Sequence, residues 1–198
     1  MKKIILPLIT SFLFASNLDT VMLDLDKQKY DEAIKVLKQQ PNTPQVNFLL
    51  GKAYYQRHLT YTDYSLAMKH FKQAKTAKSY YYIAQMYQKG LGVKKNIDEA
   101  IRYYKLSDTK EAKYELAKMY VDGKYVLKNP DLALELLKSS AKEGYNKAQF
   151  LLGKLYLNDN EIVNKDLRKA AKWLYLSAQN GNKEAKELWN KYKVYKFQ

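Results

Sequence analysis

The chain contains no cysteine, and arginine, histidine, glycine and proline are scarce. Without cysteine there can be no disulfide bond, thiolate nucleophile or cysteine-based zinc site. The two histidines, His58 and His70, lie twelve residues apart, a spacing that forms no known metal-binding pair. Seven glycines and four prolines, beside abundant alanine, leucine, lysine and tyrosine, favour helices over strands.

The basic residues are almost all lysine. Of 35 basic residues only Arg57, Arg102 and Arg168 are arginine, and the formal net charge is +15. Because specific nucleic-acid recognition relies on the bidentate arginine side chain, this composition argues against a nucleic-acid partner. A lysine-dominated surface is explained either by solubility or by attraction to acidic partners or anionic surfaces, and both explanations stay open.

Residues 1–16 have the pattern of a cleavable secretory signal. Lys2 and Lys3 form a basic start, an apolar run of about a dozen residues ends at Ala15, and the chain becomes polar at Asn17. The run is short for a bilayer span, although a retained N-terminal anchor stays an alternative. We therefore expect a bacterial periplasmic or secreted protein with no stable membrane span after signal cleavage.

Four segments of the chain read almost alike. They begin at Phe48, Tyr81, Tyr114 and Phe150, with spacings of 33, 33 and 36 residues. Each has Gly or Ala fourth and Tyr seventh. The small residue predicts close approach of a second helix, and the tyrosine is predicted to fill the space between the two helices. The small residues are Gly51, Ala84, Ala117 and Gly153, and the tyrosines are Tyr54, Tyr87, Tyr120 and Tyr156.

A second set of segments alternates with the first. Each contains an alanine followed four positions later by a large apolar residue, a spacing that places both on one face of a helix. The pairs are Ala33 and Leu37, Ala67 and Phe71, Ala100 and Tyr104, Ala133 and Leu137, and Ala170 and Leu174. Each repeat is therefore predicted to be an A helix followed by a B helix.

A repeat of this size predicts an all-α fold, a right-handed superhelical solenoid of antiparallel helix pairs. We expect a leader with a half-repeat helix in residues 17–44, about four repeats in 45–181 and a capping helix in 182–198. The cap is predicted to run from about Lys183 to Tyr195, with Leu188 and Trp189 covering the last repeat. Asp31, Asp98 and Asp131 fall at B-helix starts, and Gly144 and Gly181 mark helix ends.

The repeats resemble the SEL-one-like repeat (SLR) family, a relative of the tetratricopeptide repeat. The resemblance is carried by Ala148–Tyr156 for the A helix, Met86–Val93 for the glycine turn and Ala170–Ala178 for the B helix. It implies the helical solenoid fold and a scaffold that binds other proteins, as many exported bacterial members do. The sequence departs from the family pattern in the first two B helices, which end without glycine.

Some cysteine-rich secreted relatives are described as penicillin-binding or β-lactamase proteins, so a hydrolase is the first alternative. Its S-x-x-K motif occurs at Ser107 with Lys110 and at Ser139 with Lys142, but no S-D-N or K-T-G accompanies it. We therefore expect a non-enzyme without catalytic, cofactor or metal-binding residues. A carbohydrate-associated scaffold of the cell envelope is the second alternative.

In related solenoids the A helices line the concave face. If this protein follows them, the residue after each conserved small residue points towards a bound partner. These residues are Lys52, Gln85, Lys118 and Lys154, and Tyr55 and Lys89 lie beside them. The three lysines predict an acidic protein partner. The sequence therefore predicts an exported scaffold that mediates protein–protein interactions as an adaptor in an envelope or secreted assembly.

Overall fold

The computed structural model describes residues 18–57 and 60–192, and all regular secondary structure in these residues is helical. The helices are α1 (18–26), α2 (Tyr30–Leu37), α3 (Pro44–Arg57), α4 (Tyr61–Ala74), α5 (Ala77–Lys89), α6 (Ile97–Ser107), α7 (Lys110–Asp122), α8 (Pro130–Lys142), α9 (Asn146–Leu155), α10 (Leu167–Gln179) and α11 (Lys183–Lys191). The predicted signal segment, residues 1–16, and His58 lie outside the described residues.

The chain divides into two compact units, Met1–Tyr103 and Tyr104–Gln198, called unit 1 and unit 2 below. In unit 1, α3 packs against α2 and α4, and α4 packs against α5. In unit 2, the chain of contacts runs from α7 to α8, α9, α10 and α11 in order. Within each unit these helices therefore pack against their sequence neighbours, as a helical repeat of the solenoid class requires.

The predicted B-helix core is confirmed at every position. The five alanines and the five large residues four positions after them all have no exposed surface. Because these pairs recur at i and i+4, each B helix presents one continuous apolar face. Burial of this face, rather than intrinsic helix propensity, stabilises helices as short as these.

The two mid-helix glycines lie where a second helix comes close. A Cβ atom added to Gly51 of α3 would lie 2.6 Å from the Phe71 ring of α4. A Cβ atom on Gly153 of α9 would lie 2.6 Å from Cγ of Leu174 on α10. The A and B helices of these repeats can therefore pack only because no side chain lies between them.

The tyrosines three residues after the conserved Gly or Ala of each A helix differ in how deeply they are buried. Tyr54 and Tyr156 are buried, each with 4% of its surface exposed, as the sequence predicts. Tyr87 and Tyr120 are only half-buried, so they are less enclosed than Tyr54 and Tyr156. Tyr87 of α5 stacks against Tyr103 of α6, with ring centroids 5.7 Å apart, so it contacts the second helix of its repeat as predicted.

The B helices end at residues with a left-handed backbone, both where the sequence has glycine and where it does not. Gly144 and Gly181 have φ angles of 81° and 84° after α8 and α10. The first two B helices, which lack glycine, end in the same left-handed conformation at Lys75 (φ 51°) and Asp108 (φ 47°). The backbone geometry of the turn is thus kept in all four repeats, although an L side chain adopts it only under strain.

The leader contains structure that the sequence did not reveal. Residues 18–26 are helical, and Leu18, Val21 and Leu25 are buried in the core of unit 1. At the other end, α11 stops at Lys191, Tyr192 follows it in a turn, and residues 193–195 of the predicted cap lie outside the described residues. Leu188 and Trp189 pack against the core of unit 2, and the Trp189 and Tyr175 rings lie 5.5 Å apart.

Candidate interaction surface

In unit 1, four of the six predicted partner-binding residues lie on α3 and α5. The Tyr55 hydroxyl of α3 donates a hydrogen bond to Oε1 of Gln85 on α5 (3.3 Å), and Nε2 of Gln85 donates to the Tyr81 hydroxyl (2.9 Å). Lys52 lies three residues before Tyr55, and Lys89 four residues after Gln85, so helical periodicity places each lysine beside this chain. We call these five residues the tyrosine–glutamine face.

Aromatic packing holds this face in place. The Tyr55 ring lies 5.2 Å from Tyr82 and 5.9 Å from Tyr64, both edge-on, and Tyr82 stacks on Phe71 at 4.9 Å. Burial, together with the neighbouring Tyr64 and Tyr82, raises the pKa of Tyr55 to about 12. Tyr55 therefore remains a protonated hydrogen-bond donor at every physiological pH, and the aromatic contacts restrict its ring.

The charge around this face is of one sign. Between residues 41 and 97 the only acidic residue is Asp63, while the same stretch contains eight lysines and Arg57. Asp63 is 5% exposed, caps α4 together with Thr60, and lies 3.8 Å from Nε of Arg57. Its carboxylate is therefore neutralised inside the protein, and all other charged side chains of α3, α4 and α5 are cationic. One exposed carboxylate of a neighbouring helix, Asp31 of α2, pairs with Arg57 at 2.8 Å.

In unit 2 the predicted partner-binding lysines, Lys118 and Lys154, have different neighbours from those of Lys52. Nζ of Lys118 lies 5.7 Å from the ring centroid of Tyr114, and Nζ of Lys154 lies 5.4 Å from that of Phe150. Both lysines are exposed. Glu111, Glu115 and Asp122 also lie on α7, so that Lys118 shares its helix with carboxylates. Lys52 of unit 1 has no acidic residue on its helix.

Sequence reasoning treated Lys52, Gln85, Lys118 and Lys154 as one ladder of equivalent residues. In the structure Gln85 and Tyr55 are bonded to each other, and Tyr81 belongs to the same chain of hydrogen bonds. The sequence analysis did not select Tyr81 as a site residue. The near absence of acidic residues from 41 to 97 was visible in the sequence and would have distinguished the first two A helices from α7.

The two S-x-x-K serines are part of the helix packing. Ser107 is 3% exposed, and its hydroxyl lies 3.1 Å from that of Thr109. The Ser139 hydroxyl donates to the Glu143 carboxylate (3.1 Å), which Lys113 also binds at 2.6 Å. This lysine lowers the pKa of Glu143, so the carboxylate is a weak base for activating a serine.

Two further serines bind the start of the A helix in their own repeat. The Ser140 hydroxyl donates to the Lys110 carbonyl (2.6 Å), and the Ser177 hydroxyl donates to the Asn146 carbonyl (3.3 Å). Both serines are fully buried. The sequence analysis missed this repeated contact because a single serine on a B helix carries no recognisable signal.

His70 links α3 and α4. Its Nδ1 lies 3.0 Å from Oδ1 of Asn47, and its ring stacks on Tyr54 with centroids 5.8 Å apart. Burial, followed by the charges of Lys69 and Lys38, lowers the pKa of His70. The imidazole is therefore neutral at physiological pH and has a structural position between two helices.

The repeat pattern was compared with known families. The family model for the Sel1 repeat matches residues 44–79, 77–107, 110–145 and 146–182, which together span most of the chain. The chain belongs to the Sel1 repeat family. Sel1-repeat proteins generally mediate protein–protein interactions and are generally non-catalytic scaffolds. The four matches agree with the helix pairs α3/α4, α5/α6, α7/α8 and α9/α10.

Two solved structures resemble this Sel1-repeat protein. A Sel1 repeat protein from Oxalobacter formigenes is 24% identical, with a TM-score of 0.73 over 84% of this chain and 71% of that one. The protective antigen c5321 of uropathogenic Escherichia coli, which displays an SLR fold, is 19% identical, with a TM-score of 0.57 over 78% of this chain and 42% of that one. These similarities support the fold. A comparison with curated proteins gave no significant match.

None of the helices in the described part of the chain is long and apolar enough to cross a membrane.

Proposed function

We propose that this Sel1-repeat protein is an exported, non-catalytic adaptor that binds an acidic segment of another protein on the tyrosine–glutamine face of unit 1. The observation that carries the proposal is the combination of a hydrogen-bonded tyrosine chain with helices α3, α4 and α5, whose one carboxylate, Asp63, is buried. Tyrosine is enriched among the residues that dominate binding energy at protein interfaces.

The two kinds of side chain have separate roles in this proposal. Tyr55 and Tyr81 offer flat contact surface that is already ordered, so binding costs little side-chain entropy. Lys52 and Lys89 attract and orient carboxylates, while each exposed ion pair adds only about 0–1 kcal/mol. Affinity therefore depends mainly on the aromatic contacts, and specificity for acidic sequences depends on the lysines.

Lys118 and Lys154 of unit 2 are proposed as secondary contact residues. Each ammonium group lies over an aromatic ring that restricts its position. Glu115 lies on α7, one turn before Lys118, so we expect this surface to attract an acidic segment less strongly than α3 and α5 do.

The binding test is a capture experiment on extract of the native host's cell envelope. Lys52→Glu with Lys89→Glu reverses two charges beside the tyrosine–glutamine face. The matched control, Lys142→Glu with Lys172→Glu, reverses two exposed charges on the B helices α8 and α10. We expect the first variant to lose a salt-sensitive partner that the wild type and the control retain.

Circular dichroism must show equal helicity in all three proteins. Equal loss of the partner from both variants would mean that only net charge matters. Retention by the first variant in low salt would exclude this face as the binding site. A captured polysaccharide in place of a protein would favour the carbohydrate-associated alternative.

Export is the second part of the proposal, and it is supported by the Lys2–Lys3 start and the apolar run to Ala15. N-terminal sequencing of the protein from its native host should begin at Ser16 or Asn17. A soluble cytoplasmic protein that retains Met1 would contradict export without affecting the binding proposal.

A further inference from the structure

A second cationic surface of unit 1 lies at the end of α4 and in the turn that follows. Four lysines occur there at three-residue intervals, and all are exposed: Lys69, Lys72, Lys75 and Lys78. We call them the lysine row. Lys69 and Lys72 lie on α4, Lys75 ends it, and Lys78 lies in the first turn of α5.

The row continues onto α2. Nζ of Lys38, which caps the C-terminus of α2, lies 6.0 Å from the ring centroid of Tyr54, and Tyr54 stacks on His70 of α4. Because Tyr54 contacts both of them, the exposed Lys38 lies near His70, the residue that follows Lys69. The cationic surface therefore covers parts of α2, α4 and α5.

The carboxylates of unit 1 lie mostly on other helices than the lysine row: α5 carries none, and α4 carries only Asp63. Asp63 is buried and already paired, as described above. Glu99 of α6 is bound by Arg102, with Nη2 2.6 Å from the carboxylate. Asp31 and Glu32 are exposed in the first turn of α2, at the opposite end of that helix from Lys38, and Asp31 pairs with Arg57 at 2.8 Å. Asp19 and Asp26 are exposed on α1.

Lys75 places a charged side chain in a backbone conformation that favours glycine. Lys75 has a φ of 51°, whereas glycine occupies the same left-handed position after α8 and α10. A side chain in this conformation is strained relative to glycine. Asp108 holds the same conformation after α6 with the opposite charge, so the turn geometry does not select the sign of the side chain. What Lys75 adds to the row is an exposed ammonium group.

From these observations we propose that the lysine row binds an anionic phospholipid surface. The four lysines are exposed point charges that impose no bidentate geometry, so a fixed arrangement of carboxylates on a folded protein is not what they select. A fluid lipid layer can instead rearrange its headgroups to meet lysines on three separate elements. Such charge adds about 1 kcal/mol, or about fivefold in binding, for each lysine near the membrane.

This surface is distinct from the tyrosine–glutamine face, since it uses α2, α4 and the start of α5 and none of the same residues. An adaptor that holds a protein on one surface and a membrane on another would localise that protein at the membrane. The lipid proposal does not depend on the proposed protein partner.

The test is co-sedimentation of the full chain with vesicles of phosphatidylglycerol and phosphatidylcholine, beside vesicles of phosphatidylcholine alone. Neutral vesicles report any binding by the apolar run before Ala15, which every variant shares. The row variant is Lys69→Gln, Lys72→Gln, Lys75→Gly and Lys78→Gln. The matched control carries four exposed changes in unit 2: Lys142→Gln, Lys147→Gln, Lys172→Gln and Lys186→Gln.

We expect the wild type and the control to bind anionic vesicles in a salt-sensitive manner. The row variant should bind them about two to three orders of magnitude more weakly, as the loss of four membrane-facing lysines implies. Equal weakening of the control would overturn the proposal, as would equal binding of the wild type to neutral vesicles. Loss of binding to soluble polyglutamate, with vesicle binding unchanged, would reassign the row to an acidic protein.

Lys75→Gly alone separates binding from folding. It should weaken vesicle binding about fivefold while it raises the melting temperature, because it removes both a charge and backbone strain. If this variant melts higher and binds vesicles as tightly as the wild type, Lys75 does not contact the lipid, and the proposal that the whole lysine row binds it is wrong.

Discussion

The close approach of α3 and α4 at Gly51 gives the sharpest test of the fold. In Gly51→Ala the new Cβ would lie 2.6 Å from Cδ1 and 2.7 Å from Cε1 of Phe71. Phe71 has no exposed surface, and its ring is confined by Tyr82 at 4.9 Å and Phe48 at 6.1 Å. The ring therefore cannot turn away without disturbing the aromatic packing below the tyrosine–glutamine face.

Two opposing effects set the change in the free energy of unfolding caused by Gly51→Ala. Alanine is favoured over glycine inside a helix by about 1 kcal/mol. Overpacking of a filled core costs about 1–3 kcal/mol. We expect Gly51→Ala to lower the free energy of unfolding by about 1 kcal/mol in total, measured by urea denaturation with circular dichroism, with an unchanged dependence on denaturant concentration.

A double-mutant cycle isolates the steric effect. Phe71→Leu removes the ring atoms that the new methyl group would meet, so Gly51→Ala should become stabilising by about 1 kcal/mol in that background. A stabilising effect of the same size in both backgrounds would refute the close approach of the two helices.

In unit 2, Gly153→Ala should lower the free energy of unfolding at least as much as Gly51→Ala does, because the backbone nitrogen of Leu174 lies 3.1 Å from the added Cβ and cannot rotate away.

Three further predictions follow from particular residues. Lys75→Gly should raise the free energy of unfolding by about 1 kcal/mol through relief of left-handed strain, and an unchanged urea midpoint would contradict this. The pKa of His70 is lowered in the folded state, so the unfolded state binds a proton first and stability should fall as pH drops below about 6.5; His70→Gln should flatten this loss relative to the wild type. Tyr156→Ala should cost about 3–5 kcal/mol, as truncation of a buried aromatic does, whereas Tyr120→Ala should cost clearly less because Tyr120 is half-buried; denaturant melts in the opposite order would show that exposure does not govern these two sites.

Much of the fold could be predicted from sequence because helix faces are local features. An alanine and a large apolar residue four positions apart define the buried side of a helix without reference to anything else in the chain. That is why Ala67 with Phe71, and Ala170 with Leu174, were assigned correctly, and why Gly51 and Gly153 predicted close helix contacts. The leader helix escaped prediction because nine residues around Val21 show only a short apolar pattern.

The candidate surface was predicted only in part. Lys52 and Gln85 were selected as equivalent members of a repeat, which sequence periodicity alone supports. Their actual environments differ because Gln85 meets Tyr55 from a helix 30 residues away, and this contact depends on how α3 and α5 are held by Phe71 and Tyr82.

The sequence by itself determined the repeat length, the helical class, the buried face of each B helix and the distribution of charge along the chain. These properties depend on residue type and spacing, and spacing along a helix converts directly into position on its surface. It also determined that residues 41–97 carry one acidic residue, Asp63. Only the tertiary structure decided that this carboxylate is buried beside Arg57, leaving the surrounding surface cationic.

The tertiary structure also decided which equivalent positions have equivalent roles. Tyr54 and Tyr156 are buried while Tyr87 and Tyr120 are not, although all four occupy the same place in the repeat. Lys75 adopts the turn conformation of a glycine because the next helix must begin in the same direction, whatever residue stands there. Such outcomes depend on contacts between residues far apart in the chain, and the packing of neighbouring helices sets those contacts.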